Sequence, residues 1–310
     1  MLFPSLSLLR CHVKKTAKDN AAPRHLSGME DGMLDLRIDS DKCTRCEQCV
    51  RDCPLNVLAM GEGVPCVGED KEEKCIECQH CLAVCPTGAL GILGLKPEAS
   101  LPLAGNFPSA AQMETLIKGR RSIRRFKHEP VDAQTVDELL RIATHAPTGV
   151  NSRKVLFTVI EDQQTMELVK HATMEGIRTL VAEERLPKGK EFYGGILRAW
   201  DKGADILFRK APHLLIVSVD AKAPTPMADG FIAMTTFEMM AATMGLGTLW
   251  DGLAKWAMVD MLPDLGIRLG IPESHQIVYV MLFGKPAVTY HRTVQRDADL
   301  KVNRVIWDKE

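Results

Sequence analysis

The chain has 310 residues, 45% hydrophobic and 25% charged, enough to bury a sizeable core and long enough for about two domains. Thirty-nine Lys and Arg against 40 Asp and Glu leave a net charge of −1, which argues against a general binder of nucleic acid or membrane surface. No apolar run approaches the roughly 18 residues needed to span a bilayer.

Residues 1–28 carry five bases (Arg10, Lys14, Lys15, Lys18, Arg24) against one acid, Asp19. A basic, acid-poor start fits an organelle presequence. It also fits an extension upstream of a folded part that opens at Met29 or Met33. The second reading is preferred because untethered termini are usually disordered, so residues 1–33 are expected as a flexible leader.

Residues 29–95 are acidic, with 13 acids and six bases. They hold Cys43-x-x-Cys46-x-x-Cys49-x-x-x-Cys53-Pro54, then Cys75-x-x-Cys78-x-x-Cys81-x-x-x-Cys85-Pro86. Three closely spaced thiolates grip one face of an iron–sulfur cluster, while the fourth, placed before proline, is directed to the other cluster. One cluster therefore takes Cys43, Cys46, Cys49 and Cys85; the other takes Cys75, Cys78, Cys81 and Cys53. Zinc needs four ligands per site in a different pattern, and disulfides give no reason for a duplicated spacing. Residues 34–92 resemble the bacterial-type ferredoxins with two [4Fe-4S] clusters. Cys11 and Cys66 fit neither quartet and are expected as inert thiols.

A stretch rich in Pro, Gly, Ser and Ala (96–109) reads as a linker, expected over 93–111. Beyond it, Val136, Leu139, Leu140 and Ile142 recur at helical spacing, and Pro147 stops that helix. Strands are expected at Val155–Ile160, His213–Val219 and Gln276–Phe283, and helices at Thr165–Leu180 and Phe231–Met244. The last helix is apolar on nearly every face, and core burial is its plain explanation. Around Lys188–Asp201 a helix and lid are expected. Strands alternating with helices indicate a layered α/β or α+β domain.

Four segments of this half carry binding chemistry. Lys118-Gly119-Arg120-Arg121-Ser122-Ile123-Arg124-Arg125 packs five cations around a serine, a donor set suited to a phosphate and otherwise explained as a solvated basic face. Ala146-Pro147-Thr148-Gly149-Val150-Asn151-Ser152 offers small residues and polar donors in a loop that can approach a planar ring. Met244 through Gly252 ends the apolar helix with glycines and backbone donors. Gly284-Lys285-Pro286 leads to Tyr290, His291, Arg292 and Arg296.

In this order and spacing the four segments resemble the FMN-dependent nitroreductase family over residues 112–300. The resemblance implies an α+β fold, a central mixed or antiparallel sheet with surrounding helices, in a homodimer with each flavin bound between subunits. It implies that Arg120, Arg121, Ser122 and Arg124 bind the flavin phosphate and ribityl chain, and that Pro147, Thr148 and Asn151 lie beside the isoalloxazine. Leu249, Trp250 and Gly252 would flank the N5 side, and Arg292, with Arg296 behind it, would supply a second phosphate cation. Family members often carry Gln where this chain has Arg153, which puts the substrate class in question. No G-x-G-x-x-G follows a predicted strand, so no dedicated dinucleotide domain is expected, although NAD(P)H can dock transiently on the flavin.

The expected protein is thus a two-cluster ferredoxin-like domain (34–92) followed by an FMN domain (112–310). It is expected to pass electrons between clusters, FMN and a small conjugated acceptor, with NAD(P)H or a ferredoxin as donor. The alternatives are a relay serving a redox protein partner, or a reductive dehalogenase or enone reductase on the same flavin. No nucleic acid and no membrane are expected as partners, no side chain is assigned as catalytic, and cysteine ligation of this kind points to a reducing compartment, the cytoplasm.

Overall fold

The computed structural model describes residues 34–296, 298 and 300–307; the leader and Cys11 lie outside the described residues. The chain divides into two units at Phe107/Pro108, within the stretch read as a linker.

The first unit is built from very short elements: β1 (Arg37–Ile38), α1 (Gln48–Arg51), β2 (Leu58–Met60), β3 (Pro65–Val67), α2 (His80–Ala83) and β4 (Leu90–Gly91). β1 pairs antiparallel with β4, and β2 with β3 in a hairpin. The core is Ile38, Leu58, Leu82, Leu90 and Ile92, joined by the buried Cys49 and Cys81. So little regular structure cannot order a chain by itself, which is why the thiols and what they bind matter to folding here. Cys66, expected as an inert thiol, is buried on β3.

The second unit runs α3 (Ala110–Gly119), α4 (Ala133–Ala143), β5 (Val155–Ile160), α5 (Gln163–Ala182), α6 (Tyr193–Trp200), β6 (His213–Asp220), α7 (Pro226–Thr243), β7 (Gly247–Trp250), α8 (Gly252–Lys255), a π-turn at Trp256–Met261, α9 (Asp264–Arg268) and β8 (His275–Gly284). Helix starts follow the sequence. Ser109 and Gln112 form a capping box on α3, and Asp132 and Asp162 accept from Thr135 N–H and Thr165 N–H at 2.8 and 2.6 Å.

The four strands form one antiparallel sheet in the order β5-β6-β8-β7. Alternate residues serve opposite faces. Leu214, Ile216, Val280 and Leu282 join a core with residues of α5, α6 and α8, whereas Leu215, Val217, Met281 and Phe283 join one with α4 and α7. Both faces are covered, so β6 is buried from His213 to Val219 and reads as an unbroken apolar run rather than an alternating one.

Two expectations are corrected. The α7 region is not buried all round: Ala233, Met234, Phe237 and Ala241 enter the core, but Met227, Phe231 and Ile232 remain exposed. The Lys188–Asp201 region does contain a helix, but α6 is pinned rather than lid-like. Tyr193 is fully buried and its hydroxyl donates to the Leu253 carbonyl at 2.6 Å, so burial raises its pKa.

Candidate functional site

In the first unit the two cysteine quartets are related by a shift of 32 residues, and the backbone repeats with them. Arg45 and Glu77, Glu47 and Gln79, and Asn56 and Gly88 all have left-handed φ between 51° and 61°. The same shift relates two sulfur contacts: Val57 N–H donates to Cys53 Sγ at 3.3 Å, and Ala89 N–H to Cys85 Sγ at 3.2 Å. These turns wrap the backbone around two separate cavities. One is lined by Cys43, Cys46, Cys49 and Cys85, the other by Cys75, Cys78, Cys81 and Cys53. The cysteines that line each cavity are thus the ones that the spacing groups together.

The donor chemistry fits iron–sulfur clusters. Among the described residues no three His, Cys, Asp or Glu converge on a single ion, whereas each quartet encloses a cavity. Burial, with repulsion from Cys78, Cys53 and Cys75, pushes the Cys81 thiol up to about 12, and burial raises Cys49 likewise. Thiolates at these depths need a cationic core, and the backbone N–H donors to sulfur supply further compensation.

In the second unit the expected flavin segments gather around β7 and α7. Residues 122–127 run along the free edge of β7: Ser122 bridges Thr248 in parallel, and Ile123 N–H donates to the Thr248 carbonyl at 2.8 Å. The segment continues to the stretch after β8, where Phe126 bridges Pro286. Arg121 and Ser122 are half-buried and Arg124 is exposed. Arg120 differs from them. Its Nη1 donates at 3.0 Å to Glu238 Oε1 on α7, an oxygen that also accepts from Thr248 Oγ1 at 3.0 Å. This guanidinium is thus engaged with a buried carboxylate, and ties α3, α7 and β7 together. Arg292 and Arg296 lie exposed beyond β8.

The 147–153 loop has three non-glycine residues in left-handed conformation: Val150 (φ 47°), Asn151 (φ 54°) and Arg153 (φ 50°). Such conformations cost on the order of 1–3 kcal/mol each and persist only where surrounding contacts hold them. Thr148 supplies some of these, accepting from Arg153 N–H at its hydroxyl and from Asn151 N–H at its carbonyl, each at 3.0 Å. Pro147 is exposed at the loop's entry.

Leu249 and Trp250, expected to flank the N5 side of the flavin, are on strand β7, paired with Leu282 and Met281 of β8. The indole of Trp250 packs against Phe231 and Tyr279 at 6.1 and 5.4 Å. Gly252 opens α8, where a side chain would meet the Tyr279 hydroxyl. Between them lies Asp251, absent from the sequence expectation. It is 5% exposed; Oδ1 caps α8 by accepting from Ala254 N–H at 2.9 Å, while the buried Oδ2 has no hydrogen-bond partner among the described residues. Burial pushes its pKa up to about 6.

Glu238 and Asp229 were also missed. For Glu238 the available signal was an acid within an otherwise apolar helix, a placement that demands a partner; Asp229 precedes the helix expected from sequence.

The nitroreductase family description matches residues 117–285, more than half of the chain. The chain belongs to the nitroreductase family. A 4Fe-4S dicluster domain matches residues 27–90. This family member is accordingly an FMN-dependent oxidoreductase that carries a second, two-cluster [4Fe-4S] cofactor site. Among curated proteins it is similar to nitroreductase NfnB of Mycolicibacterium smegmatis, 25% identical over 60% of this chain and 87% of that one. It is also similar to iodotyrosine deiodinase of Thermotoga neapolitana, 25% identical over 43% of this chain and 70% of that one. A solved nitroreductase with bound FMN from Desulfitobacterium hafniense shares the fold, with TM-score 0.50, 20% identity, and coverage of 62% of this chain and 98% of that one. Among the described residues no helix is long and apolar enough to cross a membrane.

The residues of the second unit fit a flavin mononucleotide. Arg121, Ser122 and Arg124 are phosphate donors by type, and the orphaned buried oxygens Asp251 Oδ2 and Ser152 Oγ fall in two of the other three expected segments.

Proposed function

We propose that this nitroreductase-family protein passes electrons between its two [4Fe-4S] clusters, FMN and a small conjugated acceptor such as a nitroaromatic or quinone. NAD(P)H or a ferredoxin is the electron donor in this reading. The clusters exchange one electron at a time, and FMN supplies both one- and two-electron chemistry. The ferredoxin-like domain is assigned to 34–92 and the FMN domain to 112–310. The observation that carries the reading is the pair of crossed cysteine cavities on the same chain as a nitroreductase fold.

The chain's own residues have defined parts in this proposal. Arg121, Ser122 and Arg124, with Arg292 and Arg296, hold the phosphate; Arg120 orders their segment through Glu238. Pro147, Thr148 and Asn151 form the loop beside the ring, and Leu249, Trp250 and Gly252 form the opposite wall. No side-chain nucleophile is required. The protein acts as a homodimer in the cytoplasm. Its pairing is supported by an open groove of about 540 Å³ lined by Leu116, Ile142, Phe231, Ile232, Met239 and Met240, an apolar surface that a lone subunit would leave in water.

A second reading has its own support: several of the curated relatives are iodotyrosine deiodinases. In this reading the acceptor is a haloaromatic that takes two electrons and a proton and releases halide. One experiment separates the two. Anaerobically prepared, reduced protein is offered nitrobenzene, a benzoquinone and iodotyrosine in turn. Steady-state reduction of the nitro compound or quinone supports the first reading, and iodide release with neither of the others turned over supports the second. Protein that is reoxidised by none of the three overturns both.

A further inference from the structure

Asp229 lies in the first turn of α7 and is 1% exposed. Its Oδ1 accepts two hydrogen bonds, from Gly149 N–H at 2.9 Å and from Thr225 Oγ1 at 2.8 Å, while the buried Oδ2 has no hydrogen-bond partner among the described residues. Gly149 opens the turn that contains Val150 and Asn151, which with Arg153 just beyond it are the three left-handed residues. The approach is close enough that a Cβ at Gly149 would collide with Thr225 Oγ1. Thr225 in turn accepts Asp229 N–H at its carbonyl, at 2.9 Å. A carboxyl group is thus buried in the first turn of an 18-residue helix, and it is spent on a loop 80 residues away in sequence.

We propose that Asp229 is a positioning residue of the flavin pocket, a carboxylate latch that holds the 149–153 loop in its left-handed form so that Asn151 is presented to the ring. The inference rests on the FMN reading of the second unit. Without the latch, the loop's own bonds, to the Thr148 hydroxyl and carbonyl and from Ser152 N–H to the Gly149 carbonyl, are left to oppose relaxation of Val150 and Arg153 toward ordinary backbone. The loop then samples many shapes, and FMN binding has to reorder it. Asparagine at 229 keeps an oxygen that can accept from both Gly149 and Thr225; alanine keeps nothing.

The test uses full-length protein with its clusters, as wild type, Asp229→Ala and Asp229→Asn. FMN affinity is measured by fluorescence titration, the bound flavin by its visible spectrum, and the loop by trypsin cleavage after the exposed Arg153, followed by mass spectrometry and normalised to cleavage elsewhere. Asp229→Ala is expected to weaken FMN binding about 10- to 100-fold, shift the flavin bands toward those of free FMN and speed cleavage after Arg153 about tenfold. Asp229→Asn is expected to stay within about threefold of wild type in all three. Wild-type affinity, spectrum and cleavage in Asp229→Ala overturn the latch, as does Asp229→Asn behaving like Asp229→Ala. Should wild type take up no FMN, the flavin reading fails, and the Arg153 cleavage ratio alone then decides whether the latch exists.

Discussion

At Gly247, strand β7 and the 122–127 segment meet closely. A Cβ placed there would lie 2.5 Å from Ile123 Cγ1, 2.9 Å from its Cβ and 3.0 Å from its Cγ2. Carbon atoms pack comfortably at about 3.5–4.0 Å, so Gly247→Ala needs a displacement of up to about 1 Å. Rotating the isoleucine cannot supply it, because its own Cβ is among the atoms struck. The movement must come from the backbone of 122–124, which is held to β7 by the Ile123 N–H to Thr248 carbonyl bond. Overpacking of this kind costs about 1–3 kcal/mol, against about 0.5–1 kcal/mol gained by replacing glycine. The net loss is about 1–2 kcal/mol, and about a tenfold weakening of FMN follows if Ser122 and Arg124 move with the strand. Ile123→Ala alone, at a buried site, should cost about 2–5 kcal/mol, yet it removes two of the three colliding atoms. The double variant is therefore expected to fall short of the sum by about 0.5–3 kcal/mol. Flavin titration and the temperature of flavin release, measured for all four proteins, read the cycle. Unchanged binding and melting in Gly247→Ala, or strict additivity in the double variant, would refute the reasoning.

Cys85→Ser should remove the cluster held with Cys43, Cys46 and Cys49 while leaving the one at Cys75, Cys78, Cys81 and Cys53, so that iron content falls by half and one of two sets of EPR signals disappears. Iron loss from the Cys75 quartet instead would contradict the crossed arrangement. Asp251→Asn keeps an acceptor for the α8 cap and removes a carboxylate whose pKa is raised from 3.8 to about 6. The native state holds this proton more tightly, so the wild-type penalty grows as pH climbs from 3.8 to about 6 and is complete above that. It amounts to about 3 kcal/mol before the cost of burying the new amide, so the variant should melt higher than wild type at pH 8 and show little advantage at pH 4. His213 is fully buried, its Nε2 accepts from Val131 N–H at 2.7 Å, and burial lowers its pKa from 6.5. The unfolded chain therefore takes the proton first, and stability is lost as pH falls from 6.5 toward the lowered native value. His213→Gln should flatten the melting curve against pH in that window; an unaltered slope would show that another group carries it.

The grouping of the eight cysteines proposed as cluster ligands was legible in the sequence, because each quartet is a local repeat, and the same groups line the two cavities. The expected strands at 155–160, 213–219 and 276–283 were legible too, since long apolar runs between helical stretches have few other uses, and each corresponds to an observed strand within a residue or so at either end. Local pattern failed at β7. Gly-Thr-Leu-Trp has glycine on its approach and only four residues, and it becomes a strand because β8 pairs with it on one side and residue 122 on the other. The extent of α7 was also hidden: its first turns begin at Pro226, and which of its apolar faces is covered depends on α4 and the sheet.

Spacing along the chain therefore singled out the residues proposed to bear the chemistry, and tertiary structure decided which of them are already engaged. Arg120 was one cation among five until Glu238, 118 residues on, took its guanidinium. Gly149 was a flexible loop glycine until Asp229 accepted its N–H. Such pairings arise when sheet and helix bring distant segments together and bury them, where a charge or an amide without a partner is costly. No periodicity in the sequence records that cost, because it exists only once water has been excluded.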